Sequence, residues 1–335
     1  MPVSDSVIYP ARGLPAQPRW SRPARRTLIL WLLVAGVIVL FMTVDSRDNW
    51  GFVLPFRGAK VLAMALVGCA VAVSTVLFQT VTYNHILSPS IMGFDALFIL
   101  IQTTLVFFLG ASQAAAISAP VRFLLEVGLM AGFGVVLYRW VFARAGGSIH
   151  LVILVGLVFG VLFRSIAAFM QRVFDPNEFA ALQDMLFASF NSFDRELLGV
   201  AAVIVLAALL VIWRIRHTFD VLALGYATSI NLGLDQRRLV ALILLLITVL
   251  VSVSTALVGP VTFFGLLVAS LAYQLTGTYQ HRWNLPFATG VAILCLIGGQ
   301  MIVERVFSFS TSLSIIVEFV GGIVFIILLV RGKTR

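Results

Sequence analysis

Charge is scarce in this sequence. Asp, Glu, Lys and Arg make up 11% of the 335 residues, whereas soluble domains carry about 25%. Hydrophobic residues make up 61%, and the mean hydropathy is +1.06. These values exclude an ordinary soluble domain and predict a polytopic membrane protein. The net charge of +9 therefore bears on membrane topology, and we expect no nucleic-acid partner.

Cysteine and histidine are also rare. Cys69 and Cys295 each lie alone in an apolar run, which is typical of packing residues. The four histidines show no ligand spacing, and the sequence contains no Cys/His cluster, no H-E-x-x-H motif and no G-x-S-x-G motif. We therefore expect no metal site, and a membrane-embedded enzyme is a poor alternative.

A nucleotide-binding motif is missing as well. Gly332, Lys333 and Thr334 resemble the end of a P-loop, but the upstream glycine would have to be at position 327, which is Ile327. We expect this chain to bind no cofactor and to hydrolyse no ATP of its own.

Apolar runs of bilayer-spanning length recur along the chain. A spanning helix needs about 20 residues. The runs cover residues 28–44, 60–81, 91–110, 120–142, 149–170, 197–213, 238–258, 261–275, 286–304 and 314–330. We predict an all-α polytopic membrane protein with about ten transmembrane helices. Its transmembrane domain covers residues 28–331, after a disordered basic tail over residues 1–27.

The distribution of basic residues predicts the topology. An even number of spans places both termini on one side. With the N-terminus inside, most of the 23 Lys and Arg residues fall on the inner side, which predicts that both termini are cytoplasmic. Residues 214–237 then form the largest cytoplasmic loop.

Few charged residues fall within the apolar runs. Asp95 is placed near the inner start of the third run. The other charges lie near the outer ends of their runs: Glu126, Arg164, Glu304 and Glu318. Helix-end side chains that reach the interface explain this pattern. A secondary transporter is expected to need a midplane carboxylate or a broken-helix ion site, so the pattern counts against that alternative.

Two stretches resemble a known family. Residues 86–93, ILSPSIMG, and residues 258–273, VGPVTFFGLLVASLAY, look like the N-P-L-A-x-P-x-x-L-G and G-P-I-x-F-x-G-L-x-x-P-H-x-x-R motifs of FecCD-type permeases. These are permease subunits of iron-chelate and cobalamin ABC importers. Ala269, Ser270 and Tyr273 stand where the commonest pattern has Pro, His and Arg, and these departures resemble the branch that imports ferric siderophores, including catecholates.

The resemblance implies a type II ABC importer permease fold in a bacterial cytoplasmic (inner) membrane. It also implies partners: two ATPase subunits that bind ATP and Mg²⁺, a second permease, and a periplasmic or lipid-anchored binding protein that delivers the ferric siderophore. In the branch that it resembles, the second permease is commonly a non-identical chain, and an identical copy is the alternative. A manganese/zinc-type ABC permease and a secondary transporter remain alternatives for the function.

Residues 223–238, ALGYATSINLGLDQRR, are unusually polar for this chain. Gly225 and Gly233 can end or bend short helices. Ala227, Ile230 and Leu234, at i, i+3 and i+7, form an apolar stripe for a partner groove. In the family that the chain resembles, this loop forms two short helices that sit in a groove of the ATPase. An ordinary solvated loop is the alternative. The residues predicted to couple to the ATPase are Leu224, Gly225, Ala227, Ile230, Gly233 and Leu234.

The resemblance further implies that outward-facing basic residues dock the binding protein. Arg57 and Lys60 keep the spacing of a family R-x-x-R unit before span two, with Lys in place of the second Arg, and Arg305 lies between spans nine and ten. Charge pairs at a wet rim mainly orient docking. Snorkelling to the lipid headgroups is the alternative.

In the family that the chain resembles, the transport pathway is expected between spans five and ten of two permeases that face one another. Both of these spans carry small residues in this sequence. Gly156 and Gly160 form a G-x-x-x-G unit in span five, and Gly321 and Gly322 lie in span ten. Close helix packing explains these glycines as well as a role in the pathway does.

Overall fold

A computed structural model describes residues 22–44, 50–142, 149–191, 193–308 and 311–332. Across these ranges the chain forms helices and no strand. The helices are α1 Arg22–Thr43, α2 Trp50–Thr82, α3 Phe94–Leu109, α4 Ala111–Ala116, α5 Ala119–Val136, α6 Ile149–Gln171, α7 Pro176–Leu186, α8 Arg195–Arg214, α9 Arg216–Leu222, α10 Tyr226–Asn231, α11 Gln236–Val258, α12 Phe264–Thr276, α13 His281–Arg305 and α14 Leu313–Gly332. A 3₁₀ turn, Pro89–Met92, precedes α3, and a π-helical turn, Leu137–Phe142, extends α5.

Each of the ten predicted runs corresponds to a helix. Seven helices within the described ranges, α1, α2, α5, α6, α8, α11 and α13, are long and apolar enough to cross a membrane. The shorter apolar helices α3 and α12 and the Leu313–Val324 part of α14 account for the other runs. The all-α polytopic prediction is confirmed.

Two helices begin earlier than the apolar runs indicate. Helix α1 begins at Arg22 and carries Pro23 in its first turn, where a missing N–H costs nothing. The end of the predicted tail is therefore helical, and residues 1–21 lie outside the described residues. Helix α2 begins at Trp50, so Arg57 and Lys60 lie within this helix and do not precede it.

Helices α2, α11 and α13 form the centre of the bundle. Their most apolar windows are 72%, 67% and 61% buried, whereas those of α1 and α6 are 17% and 22% buried. Helix α2 packs against both α11 and α13, and α1 packs against α13. A hydrophobic helix buried on all sides belongs in the centre of a large bundle, so the less buried helices α1 and α6 lie on the outside.

The helices alternate in direction between two ends of the bundle. We call the end that carries α9 and α10 the lower end and the end that carries α7 the upper end. Arg26 at the start of α1 donates to the Leu275 carbonyl near the end of α12, at 3.0 Å, so both lie at the lower end. The predicted topology would place the lower end in the cytoplasm.

Helices α3 and α12 are too short to cross a bilayer alone. The 13 residues of α12 span roughly 20 Å, against a hydrocarbon core of about 30 Å. The start of α3 lies deep in the bundle, because a Cβ atom at Gly93 would lie 3.0 Å from the backbone of Gly160, the central residue of α6. Irregular backbone at this depth is tolerated only where protein covers it.

Candidate functional site: a coupling surface and an upper rim

The polar loop at the lower end folds into two short helices, α9 and α10. Gly225, with φ of +100°, separates them, and Gly233, with φ of +85°, follows the end of α10. Glycine adopts these positive φ angles without strain. The prediction that the two glycines bound short helices is confirmed.

Helix α9 is anchored in the bundle by its apolar residues. Phe219 and Leu222 are fully buried. Helix α10 is held by Ser229, which is also buried and donates to Gln236 Oε1 at 3.3 Å. Gln236 at the start of α11 reaches the hydroxyl of Tyr83 at 3.2 Å. The pair of helices is therefore fixed to the bundle on its inner side.

The outer side of the two helices exposes a row of large apolar side chains. Leu224 is 60% exposed and Ile230 is 44% exposed, and the predicted Ala227 is also exposed. Tyr226 and Leu232, which the prediction omitted, are 65% and 60% exposed. We call Leu224, Tyr226, Ala227, Ile230 and Leu232 the coupling surface.

Leu234 differs from its predicted setting. It was expected to extend a helical stripe from Ala227 and Ile230, but α10 ends at Asn231 and Leu234 lies beyond the turn at Gly233. Its side chain is half-buried. The stripe is therefore shorter than the spacing indicated, because the positive φ of Gly233 redirects the chain.

An ion pair that the sequence did not predict joins α9 to the bundle. Asp220 Oδ1 lies 2.7 Å from His281 Nδ1 and accepts from the His281 backbone N–H at 2.8 Å. Partial burial alone would raise the pKa of Asp220, but the hydrogen bonds and charge of His281 outweigh burial and hold that pKa below its ordinary value. The two residues are 61 positions apart, and no motif indicated the pair.

A cavity of about 460 Å³ opens beside this ion pair. Aromatic side chains line it, and His85 packs against Tyr273 with ring centroids 4.6 Å apart. Burial lowers the pKa of His85, which favours a neutral ring. Tyr273 is one of the three departures from the family motif, and its ring fills this side of the cavity together with Tyr279.

The three predicted docking residues converge at the upper end. Arg57 Nη1 donates to the carbonyls of Phe41 and Val44 at 2.9 and 2.6 Å. Arg305 Nη2 donates to the same Val44 carbonyl at 3.1 Å. We call Arg57 and Arg305 the upper rim. Its role in docking stays a prediction.

Lys60 lies in a different setting from the other two. Its side chain is 6% exposed, and Nζ lies 3.1 Å from Glu304 Oε1. Glu304 also accepts from Gln300 at 2.8 Å. Lys60 thus takes part in a buried polar network, whereas an exposed cation was expected.

The predicted glycines occupy two kinds of position. A Cβ atom at Gly156 would lie 3.1 Å from the backbone of Met92, and one at Gly160 would lie 3.1 Å from Gly93. Gly321 faces Leu267 at 3.2 Å, whereas Gly322 has no described heavy atom within 4 Å of such a Cβ atom. The first three permit close packing within this chain.

The expectation that intramembrane charges reach the interface is wrong at three positions. Asp95 is 5% exposed and lies deep in the bundle, two residues after Gly93. Glu126 is 2% exposed and pairs with Arg122 at 2.9 Å. The Glu304 side chain is 15% exposed and pairs with Lys60. Hydropathy gives the depth of each residue along its own helix but not the neighbours that bury it.

Comparisons with known proteins agree with this architecture. The FecCD transport family matches residues 27–331. The petrobactin import system permease protein YclO of Bacillus subtilis is 45% identical, and the match covers 92% of this chain and 98% of YclO. FatC, a petrobactin import system permease protein of Bacillus anthracis, is 34% identical over 98% of this chain and 96% of its own length.

A solved structure supports the fold. It is a metal-chelate-type ABC transporter in an inward-facing conformation, which aligns with a TM-score of 0.81 at 20% sequence identity. The alignment covers 92% of this chain and 99% of that one. At this identity the likeness establishes the fold alone.

Proposed function

Because this chain belongs to the FecCD transport family, we propose that it is the permease subunit of an inner-membrane ABC importer for a ferric siderophore. Relatives at 45% and 34% identity are named as petrobactin import permeases, and a ferric enterobactin permease of Escherichia coli is 27% identical. The cargo class proposed here is therefore an iron chelate.

The coupling surface carries the mechanism. An isolated surface helix normally turns its apolar side inward, yet α9 and α10 bury one apolar set and expose another. Phe219 and Leu222 hold the unit in the bundle, and Leu224, Tyr226 and Ile230 remain exposed to water at the lower end. A helix that offers such anchors fits a groove of a partner protein. We assign that groove to a separate ATPase subunit, which binds ATP and Mg²⁺.

The energy for transport then enters from outside the chain. The permease switches between outward-facing and inward-facing states as two ATPase subunits close and open. A ligand or partner shifts such an equilibrium only through its different affinity for the two states. The ion pair of Asp220 and His281 provides a fixed contact through which α9 can displace α13.

The second permease is proposed to be a non-identical chain. Two Bacillus anthracis proteins, FatC and FatD, carry the name of one petrobactin import system, and this chain is 34% and 25% identical to them. One system with two differently named permeases is typical of a heterodimer. The exposed outer helices of this chain supply the surface on which such a partner can pack.

Delivery of the siderophore is assigned to a binding protein at the upper end. Arg57 and Arg305 share one carbonyl acceptor and so lie side by side, where acidic residues of the binding protein can meet them. With this orientation the lower end and both termini lie in the cytoplasm.

Uptake of radiolabelled iron tests this function. The iron is supplied as a panel of ferric siderophores, with Mn²⁺ and Zn²⁺ as separate cargoes, to cells with and without the chain, before and after ATP depletion. We expect ATP-dependent uptake of one chelate class to disappear with the chain. Unchanged uptake of every chelate would refute the siderophore assignment, and loss of Mn²⁺ or Zn²⁺ uptake would favour the other class of ABC permease.

A further inference from the structure

A small polar cavity lies inside the bundle, away from the coupling surface and the upper rim. Its volume is about 20 Å³, enough for one water molecule or one small ion. It is lined by one carboxylate and seven hydroxyl side chains. These are Asp95, Ser74, Thr75, Ser88, Ser90, Ser254, Thr255 and Thr262.

The carboxyl group of Asp95 is incompletely satisfied. Asp95 is 5% exposed, and within the described part of the chain its Oδ2 atom has no hydrogen-bond partner. The hydroxyls of Thr262 and Ser90 line the same cavity. A buried polar atom without a partner costs free energy, and each such atom in a native protein calls for an explanation such as a bound ion or water.

The hydroxyl groups offer more acceptors than donors. Ser74 and Thr75 both donate to the Val71 carbonyl, at 3.1 and 2.8 Å, and Ser254 donates to the Val251 carbonyl at 3.0 Å. Once a hydroxyl has used its proton in this way, its oxygen can only accept. The cavity therefore suits a positively charged guest that takes oxygen ligands.

Two helix ends meet at the cavity. Helix α3 begins at Phe94, so Asp95 lies in its first turn, and helix α11 ends at Val258, so Ser254 and Thr255 lie in its last turn. The carbonyl groups at the end of α11 carry partial negative charge, whereas the amide groups at the start of α3 carry partial positive charge. The end of α11 therefore favours a cation, and the carboxylate of Asp95 offsets the start of α3. Broken helices inside a membrane bind cations with such ends and with unwound backbone.

The charge of Asp95 also favours a cation. Asp95 is the one carboxylate among the described residues that line the cavity. When it is ionised it carries one negative charge, which a single monovalent cation balances. A divalent ion would leave an excess positive charge in a site that has only one carboxylate as a ligand.

We propose that this cavity binds one monovalent cation, Na⁺, between Asp95 and the surrounding hydroxyl oxygens. The small volume favours Na⁺ over the larger K⁺. The ion would join the start of α3 to the end of α11 and so stabilise two helix ends that lie within the bundle. Its role is structural, because it holds these two helix ends together, and it does not depend on which cargo the permease carries.

Thermal unfolding of the purified full-length chain tests the site. Tm is measured in NaCl, KCl and choline chloride at equal ionic strength, for the natural protein and for Asp95→Asn. We expect a saturable rise in Tm of about 2–4 °C with Na⁺, a smaller one with K⁺, and no specific rise in the variant. Asp235→Asn, at an exposed carboxylate of the lower end, is the matched control and should keep the Na⁺ response.

Three results would overturn the proposal. If Tm responds equally to all three salts, the effect is one of ionic strength. If a Na⁺-specific response persists in Asp95→Asn, Na⁺ binds elsewhere in the protein. If the natural protein shows no Na⁺ response and Asp95→Asn is equally stable, the carboxyl group is protonated and holds no ion.

A second variant covers the case in which Asp95→Asn does not fold. Thr262→Ala keeps the carboxylate and removes one oxygen, and should raise the Na⁺ concentration at half-maximal stabilisation about tenfold. An unchanged midpoint would contradict the proposed ligand set. Because the readout is binding, it is independent of whether siderophore uptake is observed.

Discussion

Asp220 and His281 form a charge-assisted contact that joins α9 to the start of α13. Asp220 Oδ1 lies 2.7 Å from His281 Nδ1. The other ring nitrogen, Nε2, lies 2.8 Å from the hydroxyl of Thr80 in α2. Because the carboxylate fixes the ring, one histidine connects three segments that are far apart in sequence.

Removal of this histidine should loosen the lower end. We expect His281→Ala to lower the free energy of unfolding by about 1.5–3 kcal/mol, the range for hydrogen bonds to charged groups, and to raise ATP hydrolysis that is not accompanied by transport. Thermal unfolding and ATPase activity of the purified complex measure these effects. His150→Ala, at an exposed lower-end histidine, is the control, and an equal Tm for the two variants would contradict the contact.

Charges placed on the coupling surface should separate the permease from its ATPase. Leu224, Tyr226 and Ile230 are exposed, so their replacement by Asp should leave membrane insertion intact while abolishing co-purification of the ATPase. Tyr279→Asp is the control, because Tyr279 is a 70% exposed aromatic residue at the same end but lies outside the segment that runs from α9 to α10. If the triple variant still co-purifies with the ATPase, the assignment of the coupling surface as the ATPase-binding site is wrong.

Charge reversal at the upper rim should weaken docking of the binding protein. Arg57→Glu and Arg305→Glu are each expected to cost about 1 kcal/mol, or about fivefold in Kd, at low salt, with a smaller loss at high salt because screening reduces the original attraction. Binding of the purified binding protein at two salt concentrations measures this. Arg238→Glu reverses an exposed charge at the lower end and should leave Kd unchanged.

Lys60 should behave differently from these arginines. Lys60→Met would leave Glu304 partly buried without its cation and is expected to destabilise the fold by about 3–5 kcal/mol. The double variant Lys60→Met/Glu304→Gln should recover most of the lost Tm. If Lys60→Met keeps its Tm but loses docking, the family interpretation of Lys60 as a docking residue is right and the structural one is not.

The contact between Gly93 and Gly160 should tolerate no side chain. Gly93 has φ of +90°, and a Cβ atom there would meet the Gly160 backbone at 3.0 Å. We expect Gly93→Ala to cost about 1–3 kcal/mol from backbone strain alone. Gly36→Ala, where no described heavy atom lies within 4 Å of the added Cβ, should raise Tm slightly because alanine favours a helix interior. Equal effects of the two variants on Tm would argue against the close contact.

The sequence predicted the helices well, because a spanning helix leaves a local signal. Each apolar run is long enough to recognise by itself, and all ten correspond to helices. Glycine gave an equally local signal, since Gly225 and Gly233 mark the ends of α9 and α10 through their own φ angles. Helix starts were less accurate, because the polar first turns of α1 and α2 extend beyond the apolar runs.

The contacts between distant residues could not be predicted in the same way. Lys60 and Glu304 are 244 positions apart, and each taken alone resembles an interfacial charge. Asp95 looked like a residue near the inner end of a span, because the sequence does not show that residues 86–93 enter the bundle before α3 begins. Burial and pairing of charge depend on the packing of helices, and a single sequence gives no measure of that.

Helix α13 connects the two ends of the molecule through a single continuous element. His281 at its start contacts α9. At its end Glu304 contacts α2, and Arg305 contacts Val44, which directly follows α1. Its 25 residues correspond to roughly 37 Å, and the only proline among them, Pro286, lies near the lower end, where it can permit a bend. A tilt of α13 at one end therefore displaces its other end. Binding of the binding protein at the upper rim should change the nucleotide affinity of the ATPase, and nucleotide should change the affinity for the binding protein by the same factor.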